Sequence, residues 1–497
     1  MFVLNGNQKQ LCTGVTRRGL LHLGGLGAFG LTLADFLGLR PAAAAPSPRA
    51  SRFGQARSCI LIYKYGSPPQ HETFDPKPDA PSEIQGEMKA IPTVVPGIRI
   101  GDHLPRIAGI MDRLTIVRSL THPYALHGTV YATSGIPDVD TRIEAQPRHP
   151  RQWPFIGSIV DYLEEQRSPG MLPTIPRNVA LPFVMGSKNE YPPLAGPYGA
   201  TLGPRYDPVY TDFPAPGTRT APEIRPDRAF ADPLLGIRPT DRLQLGGPAA
   251  DPRDLPAERL ELRRSLLAQM ERGRRALDFH AGVRAFRSQE EQAFALLANG
   301  KMQEALDFTR EPMPVREAYG MTLFGQSCLA ARRLIEAGGK FVTVIWDAYG
   351  LNAGSWDTHH NHYGRLKEFL LPVFDQTFSA LILDLETRGL LDETLVLVIS
   401  EHGRTPEIDS KPKGAGRHHW SSAYSQVYAG GGMGRGHVVG ATDAHAGQVT
   451  ETPISPKDVL ATAFYLLGID PDTTVPDAQG RPMPITGTGE LRKELLG

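Results

Sequence analysis

The stretch that most constrains this chain is Ser400-Glu401-His402-Gly403-Arg404-Thr405-Pro406, which directly follows the apolar run Thr394 to Ile399 and precedes His418-His419-Trp420. An apolar run of that length reads as a buried strand. A buried strand that ends in a carboxylate and an imidazole, with further imidazoles one loop later, is how an α/β protein brings metal ligands to the carboxyl edge of its sheet. The layout recurs upstream, where Lys340 to Trp346 reads as a strand and Trp356-Asp357-Thr358-His359-His360-Asn361-His362 follows. Two strand ends are therefore expected to converge on one site.

The segments between these strands support a doubly wound, mostly parallel sheet flanked by helices. Tyr363 to Thr387 has helical spacing and stops at Gly389 before the strand at Thr394. Strand, helix, strand is the right-handed crossover unit of a parallel sheet. Ser58 to Tyr63 reads as a first strand running into Gly66–Lys77, a polar loop with His71 and Asp75. Leu114 to Arg118 reads as a second, followed by Ser119, Thr121, His122 and His127. Residues 146–256 are dense in proline and glycine, apart from a strand-like Leu181 to Met185, and predict an irregular insertion over one face. Residues 256–338 predict a helical block made of Pro256 to Ala281, Ser288 to Phe308 and Val315 to Ala337, closed by Gly338-Gly339. Ser425 to Ala429 predicts another strand, and Ser455-Pro456 caps a last helix through Leu467. The α/β domain is expected over residues 58–480, with 481–497 as a tail.

With 497 residues and 40% hydrophobic content, the chain can bury one large core with insertions, or two. The 53 basic and 53 acidic residues cancel, so no net field draws it to nucleic acid, and none is expected as a partner. Of 3 cysteines, Cys12 falls in a leader; Cys59 and Cys328 allow one disulfide and no disulfide framework.

That leader covers residues 1–45. Arg17-Arg18 precede an apolar segment diluted by Gly24, Gly25, Gly27 and Gly30, and Ala42 to Ala45 offer a cleavage site, as in twin-arginine signals. Asp35 interrupts the run, so no stable transmembrane anchor is expected. Residues 46–57 read as a linker, and the location as periplasmic or extracellular.

The ligating side chains crowd together. Asp357, His359, His360, His362, Glu401, His402, His418 and His419 occupy one short stretch of a chain with 15 histidines. Imidazole and carboxylate donors suit a divalent metal, whether Zn, Ca, Mg or Mn. Arg404 reads as a ligand for an anionic substrate, an orienter of Glu401, or a structural ion-pair partner.

The motifs Ser400 to Pro406, Gly416-Arg417-His418-His419-Trp420, Ala429 to Gly432 with Gly440-Ala441-Thr442-Asp443, and Thr73-Phe74-Asp75-Pro76-Lys77 resemble a large uncharacterised, exported, sulfatase-like family of the alkaline-phosphatase superfamily. The usual motif has Phe at His402 and Asp at His418. The resemblance implies an alkaline-phosphatase/sulfatase-like fold, two metal sites, and hydrolysis of sulfate or phosphate esters of small molecules or polysaccharides through a covalent intermediate. The sulfatase cysteine motif is absent: Cys59 lies in a strand, and Cys328 lies in a helix without the required proline. Ser119, Thr121 and Thr129 are the candidate nucleophiles, and His127 a ligand or general acid. The first-strand Asp is replaced by Tyr63-Lys64-Tyr65. His71 or Asp75 then takes its place, or one metal binds. The leading expectation is a metal-dependent ester hydrolase with Asp357, His359, His362, Glu401, His402, His419, Asp75 and His71 as ligands; a non-catalytic binding protein for sulfated polysaccharide or a partner is the alternative.

Overall fold

The computed structural model describes residues 52–136, 140–146, 148–169, 171, 173–189, 195–220, 231–245, 300–350 and 355–496. The proposed leader, the helix candidate Pro256 to Ala281 and most of Ser288 to Phe308 lie outside these residues.

Nine strands form the main sheet: β1 Ser58–Lys64, β2 Leu114–Leu120, β3 Asn178–Leu181, β4 Val209–Asp212, β5 Gln244–Leu245, β6 Phe341–Trp346, β7 Thr394–Ile399, β8 Tyr424–Ala429 and β9 His437–Val439. Their order is β9-β2-β8-β7-β1-β6-β3-β4-β5. Only β8 and β5 run against the rest. The expected doubly wound, mostly parallel sheet is what forms.

Both faces of the sheet are covered, which is why its central strands read as continuous apolar runs. Ile60 and Ile62 of β1, Val342 and Val344 of β6, and Val396 and Val398 of β7 enter one core, shared with helices α2 (Leu323–Glu336) and α3 (Leu371–Thr387). Cys59, Leu61, Tyr63, Phe341, Ile345, Leu395 and Leu397 enter the other, shared with α1 (Ile156–Arg167) and α4 (Pro456–Leu466). Lys64 falls on the first face although it is charged. It is 3% exposed, with Nζ 3.9 Å from the Phe374 ring centroid and 4.8 Å from that of Trp356.

Several expectations are refined by local chemistry. Val315 to Ala337 is two helices, Met313–Tyr319 and α2, because Gly320 takes φ +89° and Thr322 then caps α2, its side chain accepting from Gly325 N–H at 3.0 Å. The long helix from His362 contains a π turn at Leu366–Leu370 just before Pro372, whose missing N–H cannot join the regular ladder. α4 starts as expected, on a Ser455/Asp458 capping box with Pro456 at its first position.

Residues 146–256 are not simply an irregular insertion: they supply α1, β3, β4 and β5. Their signal is weak because α1 is buried only over Ile156–Val160 and β3 pairs β4 through two positions, so neither keeps a periodic pattern. β3 also ends earlier than Met185, at Leu181, because Pro182 has no N–H for the ladder. Beyond residue 480, Ile485 and Leu495 are buried in the second core, and Gly434 N–H donates to the Leu495 carbonyl at 2.9 Å. No helix among the described residues is long and apolar enough to cross a membrane.

Candidate metal centre

Register brings the two motifs together. β1 lies between β6 and β7, with Tyr63 level with Ile345 on one side and Ile399 on the other. Glu401 and His402 therefore emerge beside the end of β1, and the loop after β6 folds back over the same point, Trp356 N–H donating to the Tyr65 carbonyl at 3.2 Å. Gly66 permits this approach. A Cβ there would sit 2.3 Å from the Asp357 nitrogen, and its φ is +94°.

Glu401 is held on every side. Its Oε1 accepts from Gly66 N–H and from His127 Nδ1, both at 2.8 Å, and its Oε2 accepts from the Tyr63 hydroxyl at 3.1 Å. His122 Nε2 donates to the Glu401 backbone carbonyl at 2.7 Å. Burial would raise the Glu401 carboxyl, but His127 and these donors hold it below the usual range. Asp357 faces His359 Nε2 at 3.0 Å, His419 Nε2 at 3.3 Å and the Arg404 guanidinium at 2.5 Å.

Among the described residues, two sets of side chains place their ligating atoms within 4.8 Å of one another: His127, His402 and His419, and Asp357, His359 and His419. His402 is fully buried. Its Nδ1 donates to the Gly403 carbonyl at 2.8 Å, while its Nε2 has no hydrogen-bond partner among the described residues. Burial, and then Arg404 and His419, push its imidazolium well below the usual histidine value, so His402 is neutral and able to ligate. For His127, burial opposes the charge, but Asp357 and Glu401 outweigh it and raise the pKa to about 9. A buried imidazole nitrogen with no partner, among other imidazoles, suits a divalent cation, and these residues fit one.

The structure brings Asp357, His359, Glu401, His402, His419 and His127 together and leaves other expected residues elsewhere. His362 faces the core at 0% exposure, with Nδ1 2.8 Å from the Thr358 hydroxyl and Nε2 3.5 Å from Glu72, which itself pairs with the buried Arg417. The helix that begins at His362 turns this residue inward, away from His359. His71 donates from Nε2 to the His445 carbonyl at 2.8 Å, and burial lowers its pKa to about 3. Asp75 pairs with Lys77 at 3.0 Å and accepts from the Thr442 hydroxyl. The acidic groups of the polar loop after β1 are thus ion-paired within the fold, Glu72 with Arg417 and Asp75 with Lys77.

The catalytic candidates move similarly. Arg404 is 0% exposed and donates to the Ser67 and Arg417 carbonyls at 3.1 and 3.2 Å, to the Gly66 carbonyl, and to Asp357, so it braces the strand ends. Ser119 is sealed: a Cβ on Gly440 would lie 2.0 Å from its hydroxyl. Thr121 is half-buried, with its N–H tied to the Ile454 carbonyl at 2.9 Å. Thr129 is 2% exposed and its hydroxyl donates to the Tyr63 oxygen at 3.1 Å, since the Tyr63 proton goes to Glu401. His360 and His418 lie at the surface, His418 Nε2 reaching Asp409 at 3.2 Å. Tyr63, Gly66 and His122 escape a sequence reading, since a strand tyrosine, a loop glycine and a lone histidine look like packing residues.

No curated protein matches the chain. Among solved structures, Ps i-CgsB in complex with k-i-k-neocarrahexaose is 10% identical at a TM-score of 0.38, with 83% of this chain and 72% of that chain covered. The PsFucS1 sulfatase from Pseudoalteromonas sp. is 11% identical at 0.37, covering 84% and 69%. The phosphonate monoester hydrolase SpPMH from Silicibacter pomeroyi is 16% identical at 0.31, covering 87% and 77%. Likenesses this distant carry no argument about activity. A sequence profile described as "Protein of unknown function (DUF1501)" matches residues 56–496, from just before β1 to beyond the buried Leu495, and the chain belongs to that family.

Proposed function

We propose that this chain is an exported, metal-dependent hydrolase of sulfate or phosphate esters, with an alkaline-phosphatase/sulfatase-like domain behind a twin-arginine signal (residues 1–45) and a linker (46–57). The observation that carries the reading is the unpartnered Nε2 of His402, buried beside His127 and His419 at the carboxyl edge of a parallel sheet. A divalent ion bound there supplies Lewis acidity toward an ester oxygen and acidifies water. The chain's own groups supply position. Arg404 and Arg365 hold the Asp357 loop, the latter through the Asp357 carbonyl at 2.9 Å, and Glu401 holds the His127 ring. His127, His359 and His419 are each partly exposed, so an ester has a route in. Export rests on the paired Arg17 and Arg18 and the glycine-diluted segment after them.

The test is turnover of an aryl sulfate and an aryl phosphate by the purified chain with Zn, Ca, Mg or Mn added in turn. Chelator-sensitive hydrolysis of either supports the reading; no turnover with any metal removes it. One observation favours the second reading, a binding protein for sulfated polysaccharide or a partner. Arg404 is engaged by carbonyls and Asp357, and the hydroxyls of Ser119 and Thr129 are buried, so none of these three is free to meet an ester.

A further inference from the structure

The tautomers of two histidines are fixed by oxygens outside the cluster. A carbonyl or carboxylate oxygen only accepts, so Nδ1 of His402 facing Gly403 O, and Nδ1 of His127 facing Glu401 Oε1, must each carry the proton. In the neutral form, which ligation requires of each ring, the lone pair is then on Nε2; His127, held protonated by Asp357 and Glu401 in the absence of an ion, releases its Nε2 proton on binding. His127 and His402 belong to one group with His419, whose ligating atoms lie within 4.8 Å of each other. Three imidazole nitrogens around a tetrahedral ion stand about 3.4 Å apart at the usual metal–nitrogen distance of roughly 2.0–2.1 Å, so a modest contraction closes the group.

Glu401, expected as a ligand, is not placed as one. Both its oxygens accept hydrogen bonds, from Gly66, His127 and Tyr63, and the residue is 1% exposed. It stands where the outer carboxylate of a carboxylate–histidine–metal unit stands, fixing ring orientation and tautomer. The second group, Asp357 with His359 and His419, shares His419 with the first, and each residue offers one ligating atom to a group. Asp357 moreover carries the Arg404 guanidinium at 2.5 Å, a positive charge beside any ion placed there. Among the described residues no Lys or Arg side chain hydrogen-bonds to the three-histidine group, and Arg404 acts on His402 and His419 only through its field.

We infer that the chain holds one metal ion, on His127, His402 and His419, with Glu401 as the positioning carboxylate of His127, and that the ion is of the nitrogen-preferring class represented by Zn²⁺ and Co²⁺. An all-imidazole donor set suits that class and not Ca²⁺ or Mg²⁺, which take oxygen ligands. His127 and His419 are each a fifth or so exposed, which leaves the solvent side of the ion open for a fourth ligand.

The inference rests on reading the cluster as a metal site, and its test reads binding without requiring any ester to be turned over. The mature, folded chain is stripped with chelator and titrated with Co²⁺, following the visible bands of four-coordinate cobalt, then challenged with Zn²⁺, Mg²⁺ and Ca²⁺. One Co²⁺ per chain is expected, displaced by Zn²⁺ and indifferent to excess Mg²⁺ or Ca²⁺. Glu401→Gln, with circular dichroism unchanged, weakens binding about 10–100-fold without abolishing it, as loss of an outer partner does. His402→Ala weakens it at least about tenfold more than His359→Ala. Two ions per chain, displacement by Ca²⁺ or Mg²⁺, equal losses from His402→Ala and His359→Ala, or no binding to the folded chain each overturn the assignment. Binding as described with no ester hydrolysed removes the hydrolase and leaves this metal site standing.

Discussion

Lys64 shows how far a single residue can sit from its sequence expectation. It closes the central strand between Phe374 and Trp356, and no carboxylate among the described residues lies within ion-pair distance. Burial pushes its amine well below the ordinary lysine value. The sign follows from that depression: the fold disfavours the ammonium, so stability rises as pH climbs toward the unfolded value of about 10.4 and falls as pH drops. Lys64→Met removes the buried charge and keeps the chain length. It is expected to stabilise the protein at neutral pH by on the order of 1–3 kcal/mol and to flatten the alkaline rise, as read by denaturant unfolding at pH 7 and pH 10. An unchanged midpoint at pH 7 would show that the rings and trapped solvent already satisfy the amine.

Elements were more legible than the contacts between them. The central strands announced themselves because both faces of β1, β6 and β7 are buried, so each is a mostly apolar run, interrupted only by Thr343 in β6 and bounded by Ser58, Lys64 and Thr394. The convergence of Asp357, Glu401, His402 and His419 followed from where those strands stop. What stayed hidden depends on long-range register: that Tyr63 supports Glu401, that His362 turns into the core, and that Arg404 is engaged by carbonyls. Nothing local in a sequence separates a ligand histidine from one inserted beside Glu72. Gly66 is the joint on which the convergence depends. Gly66→Ala would strain a φ of +94° and drive a methyl into the Asp357 backbone. A stability loss above about 1 kcal/mol is expected, with weaker Co²⁺ binding as the loop shifts. Wild-type melting and affinity in that variant would show that the loop after β6 accommodates the methyl without cost.

At the scale of the whole molecule, the sheet is a platform whose carboxyl edge carries the histidines, and the surrounding cores fix their spacing. The leader proposed for residues 1–45 makes a separate prediction. Arg17→Lys with Arg18→Lys should leave precursor in the cytoplasm, seen by fractionation, because the receptor for folded cargo reads the arginine pair. Normal amounts of mature protein outside the cytoplasm would assign the signal to another route. The same molecule has a consequence for its own synthesis. β1 is made early, yet neither of its lateral neighbours exists before residue 341, and the second core closes only over Leu495. At about 5–20 residues per second, the central strand waits tens of seconds on the ribosome with both edges unpaired, exposed to aggregation unless a chaperone covers it.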